Sequence, residues 1–154
     1  MLRAAINPLG LDASRTLVAA DPAGAWLGSG QLSRLQRAPW QRPQPPQPPA
    51  APAFELRSLV VAPDRRGEGI GSALVRGLLD MARAEVGGTA AGEAEVFLTT
   101  TAGLAPFYSR AGAFGRCALS EAPPLLAAEV AVGTLVAALV ARDALVVMRR
   151  RLSL

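Results

Sequence analysis

The stretch LVVAPDRRGEGIGSAL at residues 59–74 passes from a β-branched run, through a turn with three glycines in five positions, into an apolar stripe of helical period. A chain carrying it must set a strand, a tight turn and a helix in immediate succession, which commits it to an architecture of strands and helices together. Gly67, Gly69 and Gly71 carry no Cβ, so a ligand can approach the main chain closely. The first helical turn then has free N–H groups directed at that ligand, and the helix dipole favours an anion there. Arg65 and Arg66 stand just before the turn, and guanidinium forks suit phosphate oxygens. The segment therefore reads as a phosphate cradle. The plainer alternative is a connector that binds nothing, but glycine in a regular element is worse than alanine by about 0.5–1 kcal/mol, so a mere connection has little reason to accumulate it.

Spacing separates the candidate phosphate ligands. A dinucleotide fingerprint needs G-x-G-x-x-G, yet the third glycine position falls on Ser72 counting from Gly67 and on Leu74 counting from Gly69. A P-loop needs a lysine, and the chain has none. What remains is R-x-x-G-x-G, fixed at Arg66, Gly69 and Gly71, preceded by V-x-P and followed by a long helix. This arrangement resembles the coenzyme A-binding motif of the GNAT superfamily of N-acetyltransferases. A second segment, FYSRAGAF at residues 107–114, is similar to that family's F-Y-x-x-x-G-F pattern, with Ala113 inserted before the aromatic Phe114.

Charge and composition limit other readings. All 16 basic residues are arginine, the formal net charge is +4, and apart from Arg65-Arg66 and the trio Arg149, Arg150 and Arg151 they are scattered. A basic stripe with interleaved aromatics is missing, so nucleic acid is not an expected partner. Histidine is absent, which removes His-based metal sites and Ser-His or Cys-His nucleophile systems, and the dispersed carboxylates suggest no metal cluster. Cys117 is the only cysteine, so no intramolecular disulfide can form. The apolar stretch at 125–141 is interrupted by Glu129, leaving 12 uncharged residues, against the roughly 20 a membrane span needs. No membrane association is expected, and a soluble intracellular location, in cytoplasm or plastid, is.

A length of 154 residues predicts a single domain over residues 1–154. Strands are expected at 15–20 and 25–32, joined by the turn Asp21-Pro22-Ala23-Gly24 as a hairpin. Seven prolines at 39–52 cannot donate ladder hydrogen bonds and predict a solvated loop. A strand at 54–62, the glycine turn and a helix ending at Gly87-Gly88 follow. A strand at 95–100 is expected parallel to 54–62 through a right-handed crossover. Then come a short helix at 104–111, an extended stretch at 114–119, a core helix at 125–141 and a last strand at 144–148.

The resemblance implies an α/β (α+β) fold: a mixed, mostly antiparallel central sheet with a splayed parallel strand pair and flanking helices. It implies acetyl-CoA as cosubstrate, no metal, and transfer of the acetyl group to a primary amine of an amino acid, a peptide N-terminus or a lysine by direct attack. A non-catalytic acyl-CoA-binding or regulatory domain of the same fold is the alternative, and homodimers are left open. Backbone groups of Leu59, Val60 and Val61 would hold the pantetheine arm, with the Val61 amide polarising the thioester carbonyl. Arg66, Gly67, Glu68, Gly69, Ile70, Gly71 and Ser72 would hold the pyrophosphate. Tyr108 would protonate the departing thiolate, and Glu55 would take the amine proton; the plainer readings are a core tyrosine with its hydroxyl at the rim and a strand carboxylate paired with Arg57. Cys117 is expected to be a structural thiol, since no histidine lowers its pKa. Family members usually begin with a strand and two helices that wall the acceptor side, whereas about fourteen residues precede Arg15 here. The expectation is a shortened N-terminus, with an acceptor site that is open or completed by a partner.

Overall fold

Alternating apolar residues in the strands and a three-to-four-residue apolar spacing in the main helix assemble into one sheet with helices against it. The structure, a computed structural model, describes residues 13–35, 51–87, 92–124, 126–128 and 144–153. Strand β1 is Thr16–Ala20, β2 Trp26–Arg34 and β3 Ala53–Val61; helix α1, Ile70–Val86, leads to β4, Glu93–Thr101. Helix α2 is Ala105–Gly112, followed by the two-residue β5, Gly115–Arg116, and β6, Leu145–Ser153. The sheet order is β1-β2-β3-β4-β6-β5. All neighbours are antiparallel except β3 and β4, the pair joined through α1.

The hairpin, the parallel crossover and the short helix lie where the sequence places them. Asp21 closes the β1–β2 turn: its carboxylate accepts the N–H groups of Ala23 and Ala25 at 2.9 and 2.8 Å. Two boundaries differ. The last strand does not stop before the arginine trio but runs through it to Ser153, paired along the whole of β4. Alternation makes this tolerable, because Arg149 and Arg151 both reach Glu95, at 3.6 and 3.2 Å, on one face while Arg150 emerges on the other. The expected core helix at 125–141 lies outside the described residues except 126–128, which are helical. The proline-rich stretch likewise lies outside them, apart from 51–52, which carry no regular element.

The core has two parts, one on each face of the sheet. Phe54, Leu56, Val96, Leu98 and Met148 pack under Val75, Leu78 and Leu79 of α1. On the opposite face Phe97 and Val147 are covered by Ala122 and Leu126. At the end of α2 the buried Gly112 lets the Phe114 ring and α1 close in, since a Cβ there would sit 2.7 Å from Phe114 and 2.8 Å from Val75. Gly112 is itself helical, and the left-handed cap falls on the next residue, Ala113, at φ +52°. The inserted alanine thus occupies a conformation that disfavours a Cβ. Ala113→Gly is expected to stabilise the fold by roughly 0.5–1 kcal/mol, read as a higher denaturation midpoint at unchanged slope. An unchanged or lower midpoint would contradict this account of the cap.

Candidate active site

The parallel pair is joined only at its base. Ala53, Phe54 and Glu55 pair with Glu95, Val96 and Phe97, after which β3 continues to Val61 and β4 to Thr101 with no ladder between them. A bulge in β3 accompanies the parting: Gln31 pairs with Arg57 and Ser29 with Val60, so Gly30 alone faces both Ser58 and Leu59. Ser58, the first of these two residues, takes a left-handed conformation, at φ +52°. The extra residue reverses the alternation, so Leu59 joins the core under α1 although Phe54 and Leu56 already face that way. Val61 and Gly28 form a non-hydrogen-bonded pair, because the neighbouring Ala62 N–H donates to the Leu27 carbonyl at 2.9 Å. The Val61 backbone groups therefore point away from β2, towards the side where β4 has parted.

At the mouth of this wedge sits the start of α1. Gly69 is its N-cap, at φ +82° in the left-handed region, and no side chain caps the helix end. The Ala73 N–H closes the first helical bond onto the Gly69 carbonyl, at 3.0 Å. The N–H groups of Ile70, Gly71 and Ser72, ahead of it, are the orphan donors of this terminus. Arg66 is exposed and its Nε donates to the Val61 carbonyl at 3.4 Å, tying the turn to the end of β3. Gly71 lets α2 come near, since a Cβ there would meet the Phe107 ring at 3.2 Å.

These elements enclose a cleft of about 620 Å³ lined by Leu59, Val60, Val61, Arg66, Gly67, Gly69, Ile70, Gly71, Ser72 and Tyr108, together with Arg65, Leu104 and Phe107. Ten of the twelve site residues read from the sequence are thus brought together. The other two line a different surface or none. Glu68 pairs with Arg65 at 3.0 Å on the exposed turn. Glu55 is 7% exposed at the last rung of the parallel pair, its Oε2 3.4 Å from Arg57 Nε, on the sheet face away from α1 that Ala53 shares. Leu104 was missed because it is an isolated leucine before a helix; only the fold leaves it 55% exposed at the cleft.

Tyr108 is held edge-on between aromatic neighbours, its ring centroid 4.9 Å from Phe107 and 6.3 Å from Phe114. Burial pushes its hydroxyl above the usual phenol value of 10.0, so it keeps its proton throughout the neutral range. Cys117, half-buried beside the second core, has its thiol pushed up by burial, with Arg149 opposing the shift. It is a neutral thiol at pH 7 and no activated nucleophile. Among the described residues no cluster of metal-ligating side chains occurs, and no helix is long and apolar enough to cross a membrane.

A mixed sheet opened between two parallel strands, with a bulge on one and an uncapped helix terminus at the opening, defines the N-acetyltransferase class of fold. The family profile described as "Acetyltransferase (GNAT) family" matches residues 4–113, and the chain belongs to that family. No curated protein matches it. Among solved structures it is similar to N-acetylglutamate synthase from Neisseria gonorrhoeae, complexed with coenzyme A and N-acetyl-glutamate. That likeness has 18% identity and a TM-score of 0.64, over 92% of this chain and 26% of the synthase. It is also similar to the Brucella melitensis ribosomal-protein-alanine N-acetyltransferase, at 20% identity and a TM-score of 0.54 over 89% of this chain and 68% of that one. Rv2747 from Mycobacterium tuberculosis, in complex with coenzyme A, matches at 24% identity and a TM-score of 0.53, over 91% and 76% of the two chains. The chain thus spans about a quarter of the length of the gonococcal synthase.

Proposed function

We propose that this protein transfers an acetyl group from acetyl-CoA to a primary amine of an amino acid, a peptide N-terminus or a lysine, without a covalent enzyme intermediate. The observation that carries this reading is the single cleft that joins the parted strands, the uncapped α1 terminus and Tyr108. The residues fit coenzyme A. Ile70, Gly71 and Ser72 present free N–H groups for a diphosphate, Arg65 and Arg66 supply positive charge beside them, and the open edge of β3 supplies backbone partners for an extended amide-bearing arm. When bound, acetyl-CoA supplies an acyl thioester and a thiolate leaving group. The Val61 N–H stands on the wedge side to polarise a carbonyl, and Tyr108 holds a proton at its hydroxyl for a departing thiolate.

Glu55 is proposed as the base, acting through water from the foot of the wedge, because the buried carboxylate lies just before β3 and β4 part. Glu55→Gln is expected to lower kcat/KM by about 100-fold and flatten the acidic limb of its pH profile. An unaltered pH profile would leave Glu55 as the ion-pair partner of Arg57 alone. Its position outside the cleft lining is the observation that favours the second reading, an acyl-CoA-binding domain without catalysis. Thiol release from acetyl-CoA, followed with amino acids, peptide N-termini, lysine peptides and polyamines, separates the two. Amine-dependent release supports the transferase. Tight coenzyme A binding with no release for any amine would support the binding domain instead.

A further inference from the structure

Away from the cleft, a second cavity of about 290 Å³ opens between α1, the end of α2 and β6. Arg76 and Arg83 from α1, Arg110 from α2 and Arg150 from β6 line it against one carboxylate, Asp80. Asp80 is occupied by Arg83, its i+3 neighbour. Among the described residues Arg76 and Arg110 take part in none of the ion pairs or hydrogen bonds, so Asp80 is the cavity's only counter-charge. Arg150 donates one terminal nitrogen to the Gly112 carbonyl, while its Nε is buried with no acceptor. A buried, unsatisfied guanidinium N–H among three further cations is unfavourable until an anion enters.

We propose that this cavity is a second anion site, which takes a multiply charged phosphate group, as inorganic phosphate, inorganic diphosphate or a small phosphomonoester, separately from the cleft. The chemistry selects the ligand. Guanidinium groups reach the cavity from three elements, and a tetrahedral phosphate can accept from each on a different oxygen, whereas a planar carboxylate accepts in one plane. Bound there, the phosphate ties α1 and α2 together beyond Gly112, on the two helices that also carry the cleft's uncapped terminus and Tyr108.

The test is calorimetry at low ionic strength with inorganic diphosphate, on protein first saturated with coenzyme A so that the cleft is filled. Saturable binding and a raised melting temperature are expected. Arg110→Gln, an exposed position, and Arg150→Gln should each weaken the diphosphate at least tenfold and leave coenzyme A affinity unchanged. Equal diphosphate affinity in wild type and Arg110→Gln would overturn the proposal, as would absence of binding to the saturated protein. Comparing coenzyme A with its 3′-dephospho form identifies the remaining source of phosphate. If Arg110→Gln weakens coenzyme A but not the dephospho form, the arginines belong to the cofactor's own site and no separate one exists.

Discussion

Tyr108→Phe is expected to lower turnover by about 100-fold while coenzyme A affinity changes less than threefold. The substitution removes only a hydroxyl: the ring keeps its edge-on contacts with Phe107 and Phe114, so the local packing survives. What goes is the one proton donor of this strength in the cleft, and general acid catalysis contributes on the order of 10²–10⁴ in rate. The sign of the pH dependence follows from burial. An acid whose pKa is raised above 10.0 remains protonated to higher pH, so Tyr108 imposes no alkaline limb on wild-type kcat below that value. Turnover equal to wild type in the phenylalanine variant would remove Tyr108 from the chemistry, and an alkaline limb centred near pH 8 that persists in it would point to another group.

The second large effect is expected at the cradle. Gly69→Val should weaken coenzyme A at least tenfold in calorimetry. Gly69 caps α1 at φ +82°, where a β-branched residue is an outlier, and the strain of roughly 1–2 kcal/mol is relieved by shifting the turn that aims the first helical N–H groups. A tenfold loss corresponds to about 1.4 kcal/mol, so strain of this size suffices if it is relieved where the ligand binds. Gly24→Val is the matched control. Gly24 has φ +84° and, like Gly69, open space where a Cβ would point, but it lies in the β1–β2 turn. It should lose comparable stability with coenzyme A binding intact. Equal affinity in wild type and Gly69→Val would show that the α1 terminus does not hold the diphosphate.

The cradle was legible because its parts are contiguous. Arg66, Gly69, Gly71 and the apolar helix lie within a few residues of each other, and a left-handed turn into a helix is a local backbone demand that glycine answers. Tyr108 was legible through its spacing within FYSRAGAF, which the fold carries onto α2 at the edge of the cleft, next to the Phe107 that packs on Gly71. The splay was legible only as an implication of the resemblance, since nothing in LRSLVV says where pairing stops. The end of the last strand is not legible, because three consecutive arginines look like a solvated stop, and no local signal reports that Glu95 on the neighbouring strand and Glu121 on the turn after β5 stand within reach of Arg149.

By itself, then, the amino-acid order determined the succession of strand, glycine turn and helix, the apolar faces, and the absence of histidine and lysine that removed whole classes of chemistry. These follow from backbone sterics and from side-chain inventory, which act over a few residues or none. Tertiary structure decided where β3 and β4 part, which backbone groups of Val61 face the opening, that Glu55 stands at the foot of the wedge, and that arginines from positions 76 to 150 share one cavity. Those outcomes depend on pairing register and on packing between segments far apart in the chain. A one-residue bulge at Ser58 and Leu59 reverses which side chains a strand turns inward.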